Sequence, residues 1–192
     1  ITRGNDPFGR SYEQRGAGLS PLKILYVSSE VVPFAKTGGL ADVAGALPDA
    51  LARLGHDVAV ALPRYGGVDI GKYKAKIVAQ FQVNVASIPQ EIRVFECKLG
   101  TSKVRYFLID HGDFFGNRKE LYQVKGVDYP DNLERFITFS KACVGLIENE
   151  IFVPDVLHAN DWQSALAIPY LKEWTKTSAH AARIATIYSV HN

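Results

Sequence analysis

An apolar run, Leu22–Ser29, leads within a few residues into Lys36-Thr37-Gly38-Gly39-Leu40-Ala41-Asp42-Val43, and a helix-period pattern follows at once. Strand, bare turn and helix in that order restrict the chain to folds built from αβ units. Two adjacent glycines remove every Cβ from the bend, so the backbone is free to take positive φ and an anion can approach it closely. The partial positive charge at the start of the next helix favours a phosphate there, and Lys36 adds a full charge. The same glycines also suit a purely structural turn, so the segment alone leaves both readings open.

The alternation continues along the chain. Leu40, Val43, Ala44, Leu47, Leu51 and Leu54 recur at helical spacing and Gly55 closes the run, with Pro48 expected to kink it. Residues 57–62 read as a buried strand ended by Pro63. Three alternating stretches, 77–85, 91–99 and 103–109, joined by Ser87-Ile88-Pro89 and Gly100-Thr101-Ser102-Lys103, predict antiparallel strands or a hairpin inserted into the sheet. Residues 110–126 read as loop, with Phe114, Phe115 and Tyr122 exposed or half exposed. Leu133, Phe136, Ile137, Ser140, Val144 and Ile147 form the apolar stripe of a helix. Residues 156–158 form a strand, 162–174 a helix bent by Pro169, and 183–190 a last strand. The pattern predicts an α/β, Rossmann-like parallel sheet with helices on both faces.

With 192 residues and 47% hydrophobic content the chain suits one αβ domain. Residues 1–20, rich in Gly, Arg, Asp and Ser without hydrophobic period, read as a flexible arm or linker before a domain at 21–192. Twenty-two basic and 20 acidic side chains leave a formal charge of +2, with no basic block to suggest nucleic acid or a membrane surface. No apolar run reaches the ~18 residues of a membrane span. Cys97 and Cys143 lack metal-ligand spacing and read as reduced core thiols in a reducing compartment. The absence of methionine and the ending directly after a strand suggest an excised piece.

In an open parallel sheet, ligands gather at the carboxyl ends of the strands. Polar residues concentrate there: Ser28, Ser29, Glu30 and the Lys36 loop after the first strand, His158-Ala159-Asn160-Asp161-Trp162 after another, and Ser189-Val190-His191-Asn192 at the last. Each also has a plainer role open to it. Lys36 suits a solvated loop, Asp42 the first turn of a helix, Asp161 an N-cap, Trp162 the core and His191 a structural hydrogen bond. His56, His111 and His180 read as loop or surface residues.

The runs 23–30 and 36–43, then Gly45-Ala46-Leu47-Pro48, Leu62-Pro63-Arg64-Tyr65, His158-Ala159-Asn160-Asp161-Trp162-Gln163 and Val190-His191-Asn192, closely resemble the blocks of bacterial glycogen synthases and plant starch synthases, in order and interval. Ser189 stands where family members usually have Thr, which leaves the backbone role intact. The resemblance implies one domain of a GT-B fold, the N-terminal half of a glycosyltransferase. Such enzymes move glucose from ADP-glucose, or UDP-glucose in some members, to the non-reducing end of an α-1,4-glucan with retention. They use neither metal nor cofactor, and the location implied is bacterial cytoplasm or plastid stroma.

Carried over by resemblance, Lys36, Gly38 and Gly39 would face the donor diphosphate, with Asp42 holding the Lys36 loop or a sugar hydroxyl. His191 would contact the transferred glucose; Asp161 and Asn192 would lie near sugar and acceptor, with Trp162 and Tyr122 as acceptor contacts. The base-binding groups, an Arg/Lys pair and a sugar-contacting Glu come from the missing C-terminal domain, so the fragment is expected to be inactive alone. A non-catalytic glucan-binding module is the alternative. A dehydrogenase-type domain would need a GxGxxG turn where Lys-Thr-Gly-Gly-Leu stands.

Overall fold

The computed structural model describes residues 20–179 and 181–191, so the expected arm over residues 1–20 lies outside it except for Ser20. β1 (Lys23–Val27) and β2 (Asp57–Pro63) are buried throughout after their first residue. Continuous apolar strands of this kind are covered on both faces. β3 (Lys76–Val85) and β4 (Ile88–Cys97) instead alternate along much of their length, and are joined through Ala86 and Ser87, both at positive φ as a tight two-residue hairpin turn requires. β5 (Arg105–Asp110) is again buried almost throughout.

The helices follow from the spacing. α1 (Leu40–Arg53) runs through Pro48, which is buried and leaves the Ala44 carbonyl without its helical donor. α2 (Asn132–Glu148) turns nearly its whole middle into the core, although Leu133 at its start is exposed. After β8 (Val156–Asn160) the expected single helix is two, α3 (Trp162–Ala165) and α4 (Ala167–Trp174). Pro169 has no N–H for the Ala165 carbonyl, and the break falls at Leu166, one turn ahead of the proline. β9 (Ala185–Ser189) ends the fold, and β6 (Gln123–Val124) pairs with β7 (Val127–Asp128) as a separate small hairpin.

The main sheet has the order β3-β4-β5-β2-β1-β8-β9. Only β4 runs against its neighbours; β5 is parallel to β2, so of the three alternating stretches the last is an interior member of the sheet and not part of the hairpin. From β1 the chain steps to β2 on one side, and from β5 it returns to β8 on the other. Right-handed crossovers then put α1 on one face and α2 with α4 on the opposite one. The order reverses between β1 and β8, where a crevice opens at the strands' carboxyl ends.

One further segment departs from the sequence expectation. Residues 112–116 form a π-helical turn in which Gly116 and Asn117 donate to carbonyls five residues back, at 3.0 and 2.8 Å, and Phe115 is fully buried against Tyr65, Phe136 and Phe139. Cys97 and Cys143 are buried free thiols. Among the described residues no helix is long and apolar enough to cross a membrane.

Gly145 lets α2 lie on the edge hairpin: a Cβ there would stand 2.5 Å from the Phe81 ring. Gly145→Ala gains ~1 kcal/mol of helix propensity but must displace a packed ring, a cost of ~1–3 kcal/mol. A lower urea midpoint is expected, and a raised one would show that Phe81 moves freely.

Candidate functional site

The glycine turn is held by a carboxylate. Glu30, 4% exposed at the end of the first strand segment, accepts from Thr37 N (2.5 Å), Thr37 Oγ1 (2.6 Å) and Gly38 N (3.0 Å). Burial acts to raise its pKa, but these bonds and the Tyr122 hydroxyl outweigh it, so the group stays ionised below its ordinary range. Neither glycine uses positive φ; Gly39 sits at φ −69°, ψ −24°. Yet a Cβ on either would meet nothing within 4 Å. The glycines therefore leave open space above the turn rather than serving a strained bend.

Lys36 donates to both Asp42 oxygens, at 2.7 and 2.8 Å. With side chains 52% and 59% exposed, such a pair contributes at most about 1 kcal/mol, so Lys36 can turn to a bound anion at little cost.

A second segment closes over this turn. Arg118 and Asp131 pair bidentately at 2.7 and 2.6 Å and clamp its base. Between them Tyr122 reaches back to β1: its hydroxyl donates to Glu30 Oε1 at 2.9 Å and lies 2.8 Å from Ser29 Oγ. Burial, with the Glu30 charge, pushes that phenol far above its ordinary value, so it remains a donor. Asn132 Nδ2 holds the Tyr122 carbonyl at 2.9 Å, and Asn132 Oδ1 in turn accepts from Arg135 Nη1 at 2.6 Å. Arg135 is fully buried, donates to Phe114 O and lies over the rings of Phe115, Tyr129 and Phe136. Tyr65 completes the support by donating to Ser29 O at 3.0 Å.

Replacing Glu30 by Gln removes the charge from four bonds and is expected to cost ~1–2 kcal/mol. Because the folded pKa is depressed, the contribution is present above the unfolded value and lost as pH falls through the folded one. The difference in urea stability between wild type and Glu30→Gln should therefore shrink in acid; a constant gap from neutral to acid pH would count against it.

The third group sits at the ends of β8 and β9. Asp161 adopts φ 55°, ψ 175°, a region occupied almost only by glycine and costing ~1–3 kcal/mol for other residues. Its amide donates to Ser189 O at 2.9 Å and its Oδ1 accepts from His191 N at 2.6 Å. The carboxylate makes no side-chain cap bond to α3, so the capping role open to it in the sequence is not the one it plays. It grips the backbone of His191 instead.

Asn160 orients the ring. Its Nδ2 donates to the carbonyls of Val27 and His158, which fixes Oδ1 as the acceptor for Tyr26 OH (2.9 Å) and for His191 Nε2 (3.0 Å). His191 thus carries its proton on Nε2, leaving Nδ1 without a partner among the described residues. His158 bonds Ser189 Oγ at 2.8 Å and meets Tyr26 edge-on. Burial, reinforced by His191, lowers its pKa and keeps it neutral. Burial, with the Asp161 charge, pushes Tyr26 up to about 12.

The glycine turn, the Tyr122 segment and the start of α3 share one crevice. A cavity of about 490 Å³ is lined by Glu30, Thr37, Gly38, Tyr122, Tyr129 and Trp162, among others. Trp162 is 56% exposed, set against Phe136 and Tyr122 at 5.1 and 6.4 Å between ring centroids. Gly38, Tyr122 and Trp162 therefore line one cavity although far apart in sequence, and Asp161, which bonds His191 N, directly precedes Trp162. Lys36 and Asp42 pair with each other outside that lining, and Asn192 lies outside the described residues. Sequence reasoning missed Tyr26, Asn160 as the orienting group, and Arg135. A polar residue ending a buried apolar strand was the available signal for Asn160.

The fold and crevice define a Rossmann-like domain of the kind that builds GT-B glycosyltransferases. Residues 23–192 match the starch synthase catalytic domain, and the chain belongs to that family. It is 42% identical over 177 residues to glycogen synthase 1 of Geobacter metallireducens and 40% identical over 172 residues to glycogen synthase of Photobacterium profundum, covering 91% and 90% of this chain. The catalytic domain of starch synthase IV from Arabidopsis thaliana, bound to ADP and acarbose, superposes with a TM-score of 0.75 at 25% identity over 90% of this chain. The chain spans about a third of each relative, 35%, 34% and 34%.

Proposed function

We propose that this chain forms the acceptor-side half of a glucan synthase active site, which moves glucose from ADP-glucose or UDP-glucose to the 4-hydroxyl of an α-1,4-glucan end with retention. The observation that carries this reading is the single crevice joining the open glycine turn, the Tyr122 arm and Trp162 beside the Asp161–His191 contact. Glu30 already occupies the amides of Thr37 and Gly38. The donor diphosphate would therefore meet the Gly39 amide and Lys36, across the space that the two glycines keep clear. His191 Nδ1 would accept from a hydroxyl of the transferred sugar, and Trp162 would stack on the acceptor. ADP and acarbose on starch synthase IV are ligands of the same two classes.

The isolated chain, given ADP-glucose and glycogen, is expected to show no appreciable transfer, and robust turnover would overturn the half-site reading. A chimaera in which residues 22–192 replace the matching segment of the Geobacter metallireducens enzyme should transfer glucose to glycogen. A folded chimaera without transfer would overturn the assignment.

A further inference from the structure

The segment that carries Tyr122 is tied to a histidine outside the crevice. His111 directly follows β5, and its Nδ1 accepts from the Phe114 amide at 3.2 Å, so the ring caps the π-helical turn 112–116. A backbone N–H can only donate, which leaves Nδ1 bare and puts the neutral ring's proton on Nε2, 3.0 Å from Gln90 Oε1 on β4. The ring stacks on Phe114, with centroids 4.4 Å apart and planes 21° from parallel. Half-buried, it lines an open groove of about 370 Å³ with Gln80, Glu91, Arg93 and Asp113, and none of these residues lines the crevice.

A second proton has one place to go. On Nδ1 it would face the Phe114 N–H and turn an accepted bond into two opposed donors. The bonds made by the rest of the turn lead into the crevice: Phe114 O accepts from Arg135 Nε at 2.8 Å, and Phe115 O accepts from Gly66 N and Arg118 N, each at 3.0 Å. Arg118 in turn pairs with Asp131 at the base of the Tyr122 segment.

The charges around the ring are mixed. Asp113 on the turn and Asp110 on β5 favour the proton, although Asp110 is already paired with Arg64 and Arg93 at 2.7 and 2.5 Å. From β4, Glu91 is bonded to Gln82 and Arg93 opposes the proton. Burial outweighs the two aspartates and holds the pKa of His111 below its ordinary value. The bonded, neutral form therefore contributes stability above the ordinary histidine value of about 6.5, and this is lost as pH falls through the folded one.

We propose that His111 is a proton-operated latch, which on protonation at Nδ1 releases the 112–116 turn and loosens the Tyr122 segment from Glu30, making the crevice acid-sensitive from a position outside it. The latch itself does not depend on the glucan reading above; its effect on transfer does.

Asparagine supplies an uncharged capping oxygen, so His111→Asn keeps the acceptor and removes the titration. In heteronuclear NMR of this chain over roughly pH 8 to 5, the His111 ring is expected to titrate below about 6.5. The Phe114 amide, the Arg135 Nε–H and the Trp162 indole N–H, which sits against Tyr122 and Phe136, should shift with the same midpoint, and in His111→Asn that common midpoint should disappear. A Phe114 amide or Arg135 Nε–H that stays still while the ring titrates overturns the latch, as do shifts that persist in His111→Asn. A Trp162 that does not follow overturns its link to the crevice. Should the variant fail to fold, the wild-type titration decides alone. In the chimaera, transfer should fall about fivefold further in acid with His111 than with His111→Asn. Equal acid profiles in an active chimaera would also overturn the proposal, whereas an inactive chimaera bears on the glucan reading and leaves the latch to the NMR result.

Discussion

Arg135→Ala is expected to lower the stability of this chain by about 4 kcal/mol and its thermal midpoint by about 12 °C, at ~2–4 °C per kcal/mol for a domain of this size. Three losses add. The Phe114 carbonyl and Asn132 Oδ1 lose charged donors at 2.8 and 2.6 Å, worth ~1.5–3 kcal/mol each before compensation. Three rings lose a cation within 5.4 Å, and the fully buried stem leaves a void. Opposing these is relief of a buried charge whose Nη2 has no hydrogen-bond partner among the described residues; the surrounding rings already offset part of that cost. Unfolding in urea decides the matter, and a loss under 1 kcal/mol would show that the guanidinium is a burden to the fold. The crevice should suffer with the core, because Asn132 transmits the position of Arg135 to Tyr122 and hence to Glu30.

Asp161→Gly separates strain from chemistry. Glycine accepts φ 55°, ψ 175° without a Cβ penalty, which recovers ~1–3 kcal/mol. The lost bond to His191 N at 2.6 Å offsets this by ~1.5–3 kcal/mol, so stability should stay within about 1 kcal/mol of wild type. Function should not survive in the same way. Without the carboxylate the His191 backbone is unanchored, and on the sugar contact proposed for His191 its displacement would cost on the order of 10²-fold in rate. In the chimaera, glucose transfer should fall by about that factor while the unfolding midpoint barely moves. Retention of full activity would reduce Asp161 to a turn residue.

The resemblance carried by sequence blocks and the position of those blocks on strand ends had different physical origins, and they were legible to different degrees. His158 to Trp162 read as a strand passing into a helix with polar residues at the junction, and that is where they stand. The spacing could not reveal that Asn160 faces Tyr26 across the β1–β8 pairing, because the pairing joins residues 134 apart in the chain. The same limit hid Glu30: the residue was visible at the end of the first strand, but its bonds to Thr37 and Gly38 depend on how the loop folds back. Phe115 reads as an exposed or half-exposed loop residue because its glycine-flanked surroundings give no period; the π-helical turn that buries it is set by contacts with Tyr65 and α2.

Local pattern by itself determined the αβ alternation, the strand cores, the helix spans within a few residues and the glycine turn, since these depend on side-chain periodicity and backbone freedom over short stretches. Tertiary structure alone decided that β5 is parallel and interior, that Glu30 rather than a ligand holds the Gly38 amide, and that Asn160 sets the His191 proton on Nε2. Each of those outcomes is a hydrogen bond or strand pairing between distant segments, and its geometry exists only once the sheet order has brought them together.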